Sequence, residues 1–127
     1  MAKSKGQIEA EISEALIKFE KEYMGRGPEE TKTYIIDDMI VVRLQRVLTP
    51  AEQQLAKRSD GATGRTLIKQ VRKELLENGR QFLEQIITNL TGKKVKSLHT
   101  DISTVTGERV IIFTLDSPIL LHKEEKD

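Results

Sequence analysis

Residues 31–48 read TKTYIIDDMIVVRLQRVL, and this stretch decides the fold. β-Branched residues crowd both sides of Asp37-Asp38, a pair that tolerates turn backbone, so the spacing predicts a hairpin of 31–36 and 39–48. In its second strand Ile40, Val42 and Leu44 alternate with Val41, Arg43 and Gln45, the period-2 pattern of a strand that lays one face on a core.

That face has to be covered, and the flanking sequence supplies helices. Upstream, Ile8, Ile12, Ala15, Leu16, Phe19 and Tyr23 recur at helical spacing until Gly25-Arg26-Gly27-Pro28 stops the helix. Downstream, Thr49-Pro50-Ala51-Glu52 is a helix start: Thr49 can cap, Pro50 takes the first helical position and Glu52 follows the cap by three. The short helix runs to about Lys57 and breaks at 59–64, Ser-Asp-Gly-Ala-Thr-Gly.

A long helix follows from about 65 to 91, roughly 40 Å at ~1.5 Å per residue. Its apolar stripe is Ile68, Val71, Leu75, Phe82, Ile86 and Leu90, widened by Leu67, Leu76, Leu83 and Ile87. Gly79 falls within the stripe, where it costs about 1 kcal/mol against alanine, so close packing on another backbone is expected there. A second hairpin, 95–105 and 109–115, turns through Thr106-Gly107-Glu108. The last strand is apolar on both faces and belongs in the centre of the sheet. The fold class is therefore α+β, ordered α-β-β-α-α-β-β. Two hairpins form a mostly antiparallel four-stranded sheet packed on one long and two shorter helices.

A chain of 127 residues fits one domain, 1–127, with flexible ends at 1–6 and 117–127 around the apolar patch Ile119-Leu120-Leu121. The absence of cysteine excludes a disulfide scaffold, thiolate metal sites and a cysteine nucleophile. The first residues lack the apolar run of a signal peptide, and no stretch approaches ~18 consecutive apolar residues, so a cytoplasmic protein with no direct membrane insertion is expected. Net charge is +1, too small for a global field. Its distribution is uneven: acidic residues dominate 9–22, whereas 57–73 carry Lys57, Arg58, Arg65, Lys69, Arg72 and Lys73 against Asp60.

Three places could carry chemistry. Gly61 and Gly64 bracket the mouth of the long helix, where free N–H groups and the helix dipole attract anions, and Arg65, Lys69 and Arg72 extend the positive charge. No Gly-Lys-Ser/Thr follows, which excludes a Walker loop. The alternative there is a plain helix–helix turn. Arg26, between two glycines, can approach an anion or a partner carboxylate. His99 and Asp101 share one face of a predicted strand, but no serine elbow accompanies them and no further histidine is spaced for zinc, with His122 far off in the tail. A polar strand face of unassigned role is the simplest reading. No catalytic residue, metal or cofactor is expected.

Certain stretches also resemble a known family. Gly25-Arg26-Gly27-Pro28, TYIIDDMIVV at 33–42, Leu48-Thr49-Pro50-Ala51-Glu52 and LHTDIST at 98–104 resemble the bacterial MpsC family, in order from about residue 8 to residue 115. The family is named for a sodium-translocating, membrane-potential-generating system. The resemblance implies association with membrane proteins that build membrane potential or take up dissolved inorganic carbon, and it supplies no catalytic residues. With the residues themselves, it implies a non-enzymatic accessory or regulatory protein that acts through protein partners, a membrane protein among them, as a homodimer. The alternatives are a module binding bicarbonate or phosphate, or nucleic-acid binding through the Gly61–Gly64 loop in the manner of K-homology domains. The second is disfavoured because Ala62 and Thr63 stand where a basic residue is expected.

Overall fold

Ser4 and Gln7 bond reciprocally, side chain to backbone, and this capping box opens the first helix. Gly25 closes it with left-handed backbone, φ 85°. The computed structural model describes residues 3–57 and 61–121, with backbone alone at 61 and 62. The elements are α1 (Lys5–Met24), β1 (Glu30–Ile36), β2 (Met39–Gln45), α2 (Pro50–Lys57), α3 (Gly61–Thr91), β3 (Val95–Ile102) and β4 (Arg109–Leu115). This is the expected α+β order. The expected Thr49–Glu52 box also forms, with N–H to side-chain oxygen distances of 2.8 and 3.2 Å.

All strand pairs are antiparallel and the sheet order is β1-β2-β4-β3, so the last strand is central as its two apolar faces required. Register places Ile35, Ile40 and Phe113 side by side, with Thr33, Val42 and Ile111 in the next row. These residues are buried, and α1 and α3 pack over them. The other face of the sheet, with Tyr34, Val41, Ile112 and His99 in one row, stays half-exposed or exposed.

Several expectations are corrected. The α3 face toward the core is Ile68, Leu76, Leu83 and Ile87, whereas Leu67, Val71 and Phe82 are about half exposed. The buried stripe also contains Arg72, four residues from both Ile68 and Leu76. A charge in that position makes the neighbouring, more hydrophobic stripe look like the core side. Gly79 does pack closely, but on the aromatic rings of α1: a Cβ there would lie 2.8 Å from Phe19 and 2.9 Å from Tyr23. The strand expected over 95–105 ends at Ile102, because the Ser103 hydroxyl accepts the N–H groups of Val105 and Thr106 and turns the chain. The second strand of the first hairpin likewise ends at Gln45, because Arg46 takes left-handed backbone, φ 57°.

Lys3 pairs with Glu11 at 2.8 Å, and Ile119 is buried in the core cluster with Leu121 packed against it. Residues 1–2 and 122–127, His122 included, lie outside the described residues, as do 58–60 of the expected interhelical break. From Gly61 onward that break is already helix.

Candidate functional site

The periodicity that builds the core puts charged residues into it. Glu20 follows Leu16 by four on the buried side of α1, Arg72 sits in the buried stripe of α3, and Arg109 begins the inward-facing alternation Arg109, Ile111, Phe113, Leu115 of β4. Relative exposures of 0%, 1% and 2% make them as buried as the isoleucines around them. Glu52 of α2 completes the group.

Arg72 is the hub. Its Nε and Nη2 form a fork onto Glu52 at 2.9 and 2.7 Å, Nη2 also donates to the Val47 carbonyl at 2.9 Å, and Nη1 reaches Glu20 at 3.3 Å. A planar guanidinium is suited to such a bidentate contact. Arg109 is less well served. Its Nε donates to the Thr100 hydroxyl at 3.3 Å, but Nη1 stands 3.6 Å from Glu20 Oε2, and neither of those two atoms finds a hydrogen bond.

Acid–base consequences follow from burial. Desolvation holds the Glu20 carboxyl above its ordinary range, opposed by the charges of Arg109 and Arg72. Burial likewise pulls Arg109 down, with Glu20 opposing it. The long contact between them does not offset the loss of water. Burial also acts on Glu52 and on Arg72, but there their mutual hydrogen bonds and charges prevail, with Glu52 held low and Arg72 held high.

The segment 46–52 links this cluster to an open cleft of about 830 Å³. The left-handed backbone of Arg46 turns its side chain outward while Val47 and Leu48 go into the core. Arg26 Nη1 donates to the Leu48 carbonyl at 2.7 Å, and Gln53 Nε2 reaches the same oxygen at 3.1 Å. The Val47 N–H bonds to the Gly107 carbonyl at 2.9 Å. Gly107 lies so close to Arg46 that a Cβ would meet its Cα at 3.3 Å, at a φ of 78° that favours glycine anyway. The backbone around the cleft is therefore pinned from three directions.

The cleft draws its cations from four parts of the chain: Arg26, Arg46, Lys57 of α2 and Arg65 of α3. The carboxylate among its lining residues, Glu29, already stands 3.6 Å from Arg46. Lys57 and Arg65 have no ion-pair partner among the described residues. Leu48, Ala56 and Val105 supply apolar surface, and Val105 is 89% exposed.

The structure regroups the residues singled out from sequence. Arg26 and Arg65, far apart in the chain, line one cleft. Lys69 instead lines a smaller groove of about 430 Å³ between α3 and β3, together with His99 and Asp101. There Lys69 Nζ stands 3.4 Å from Asp101, an exposed contact of little energy. Asp101 is held low chiefly by the N–H of Ile102, with Lys69 helping. Gly64 sits in the first turn of α3, where a Cβ would collide with the Leu55 carbonyl oxygen of α2. Close helix packing thus accounts for that glycine; Gly61 is described by its backbone alone. Among the described residues no three His, Asp or Glu side chains gather as a metal cluster would require.

A family model described as "Na+-translocating membrane potential-generating system (MpsC)" matches residues 4–117. The chain belongs to the MpsC family. It is 50% identical over 115 residues to the uncharacterized protein YbcI of Bacillus subtilis strain 168, covering 91% of this chain and 90% of that protein. The uncharacterized protein YrhF of the same strain is 29% identical over 116 residues, covering 90% and 92%. No solved structure matches. The span shared with the MpsC model contains both the buried cluster and every cation of the cleft.

Sequence reasoning missed Glu20, Glu52, Arg72 and Arg109 as a unit. The available signal was charge on the buried phase of three separate periodic patterns, with opposite signs that could pair. Arg46 and Lys57 were missed as cleft residues because only the turn at Arg46 and the packing of α2 on α3 bring them to Arg26.

Proposed function

We propose that this MpsC-family chain is a non-catalytic accessory or regulatory protein of a bacterial membrane-potential-generating system, working in the cytoplasm through protein partners. The resemblance noted in its sequence extends the candidate systems to dissolved-inorganic-carbon uptake. The observation that carries the reading is a conjunction: the family description names a membrane process, yet among the described residues no helix is long and apolar enough to cross a membrane. Such a chain contributes to ion movement by binding something else.

The surface best suited to that binding is the uncovered face of the sheet. Tyr34 and Ile36 are 38% and 50% exposed there, beside Val41 and Ile112. Apolar surface of this kind, bordered by charged Lys32, Arg43 and Asp101, suits a protein partner. The test is cross-linking of a tagged chain in its host, mild detergent extraction and identification of what is retained. A membrane protein should be retained by the parent chain and lost with the double substitution Val41→Lys, Ile112→Lys. Equal retention by both, or retention of a second copy of this chain alone, rejects the reading.

A further inference from the structure

We propose that the cleft between the 25–29 loop, α2, α3 and the β3–β4 turn binds a phosphorylated small molecule of nucleotide size. Its phosphate would be held by Lys57, Arg65 and Arg26, and its organic body by Leu48, Ala56 and Val105. The proposal goes beyond the partner-mediated role and rests on different residues.

Charge is the first argument. Among the described residues four cations line the cleft, and the carboxylate in its lining, Glu29, stands 3.6 Å from Arg46. Several arginines elsewhere are answered: Arg72 by Glu52 and Glu20, Arg43 by Glu108 at 2.7 Å, and Arg80 by Glu84 at 2.9 Å. Lys57 and Arg65 have no ion-pair partner among the described residues, which leaves them open to an incoming anion. A phosphate monoester carries about −1.5 to −2 charge on one group at neutral pH, which suits cations gathered from four parts of the chain around one cleft. A peptide's carboxylates are spread along the chain at roughly 3.3–3.6 Å per residue and suit a line of cations instead.

Shape is the second argument. About 830 Å³ is larger than an inorganic ion needs and falls in the range of about 300–1,000 Å³ typical of sites for organic ligands. The mixed wall, guanidinium groups beside Leu48, Ala56 and Val105, suits a ligand with an anionic end and a flat or apolar end. The Thr104 and Thr106 side chains add hydroxyls on the same rim.

Rigidity is the third. The Leu48 carbonyl held by Arg26 and Gln53, the Val47–Gly107 hydrogen bond and the Arg72 bond to the Val47 carbonyl fix the 47–48 side of the cleft before any ligand arrives. A site formed in advance binds without the entropy of ordering its loops.

The experiment is isothermal titration of the full chain at low ionic strength with AMP, ATP and inorganic pyrophosphate, alongside sedimentation with phosphatidylglycerol vesicles. We expect a nucleotide to bind more tightly than pyrophosphate, and binding to weaken as salt is raised. Lys57→Ala with Arg65→Ala should weaken it at least tenfold while the melting temperature does not fall. Absence of binding by every probe overturns the proposal. So does pyrophosphate binding as tightly as the nucleotides, which would leave the apolar wall without a role. Binding to vesicles in place of soluble nucleotide overturns it in favour of a lipid headgroup. Loss of nucleotide binding in the double variant with partner retention intact separates this site from the proposed sheet-face interface.

Discussion

Two sets of cations lie on either side of the same short segment and differ in how their charge is matched. Arg72 and Arg109 lie in the core, hold or approach Val47, Glu52 and Glu20, and face two carboxylates. Arg26 holds the Leu48 carbonyl from the cleft, and Arg46, Lys57 and Arg65 around it face one carboxylate among the described residues. In the first set charge is tied to folding, because burying an unmatched ion is too costly. In the second, water makes the excess tolerable, so the charge stays free for use. Substitution should separate the two sharply.

The largest effect is expected at Arg72. Arg72→Met keeps the volume of the stem but strands Glu20 in the core and leaves the Val47 carbonyl without its guanidinium donor. Breaking a buried pair by removing one partner costs about 3–5 kcal/mol. Urea denaturation at neutral pH measures it. A loss below about 1 kcal/mol would mean that the cluster contributes little to the fold and would dissolve the contrast.

Next is Gly64, which lies between the two regions. A Cβ placed against the Leu55 carbonyl must push α2 from α3, since backbone cannot rotate away as a side chain can. Gly64→Ala should cost about 1–3 kcal/mol, the usual range for overpacking, despite alanine's better helix propensity. Hydrogen exchange should quicken in α2 before it quickens in the sheet. Uniform quickening would show that α2 does not move as a separate lever on the cleft.

How far these features are legible in the sequence follows the same division. Regular patterns are readable: the alternation of β2, the caps at Thr49 and Gly25, and the two apolar faces that make β4 central. The α3 stripe misleads because Arg72 breaks the pattern on the side that is buried. Hydrophobicity cannot distinguish an interrupted core stripe from an uninterrupted half-exposed one. The cleft is half legible: Arg26 and Arg65 stand out singly. Their meeting depends on where a left-handed Arg46 sends the chain, which no local pattern announces.

A smaller, pH-dependent effect tests how Glu20 is held. Burial raises its folded pKa above the unfolded value, about 4.3. Between those two values the folded chain keeps a proton that the unfolded chain releases, so stability falls as pH rises through that window. Glu52 has the opposite sign: its folded pKa is lowered, so its stabilisation is present above the ordinary value and lost as pH falls through the folded one. Glu20→Gln should remove the falling limb on the high side and leave the rising limb on the low side. Unfolding free energies from pH 3 to 8 for parent and variant decide it. Parallel profiles above about pH 4.3 would mean that Arg72 and Arg109 hold Glu20 ionised after all.

The smallest effect is expected in the cleft, and it is the most telling. Lys57 and Arg65 are exposed and have no ion-pair partner among the described residues, so no contact described in the fold depends on their charge. Lys57→Ala with Arg65→Ala should change stability by no more than about 0.5 kcal/mol, the range of surface substitutions away from structural features. Removing two like charges near Arg26 and Arg46 can even stabilise, by relieving repulsion that salt otherwise screens. The sign can be read by repeating the denaturation at low and high salt: a gain that disappears at high salt identifies repulsion. A loss of several kcal/mol would make the cleft cations part of the scaffold, and the division between matched and free cations would fail.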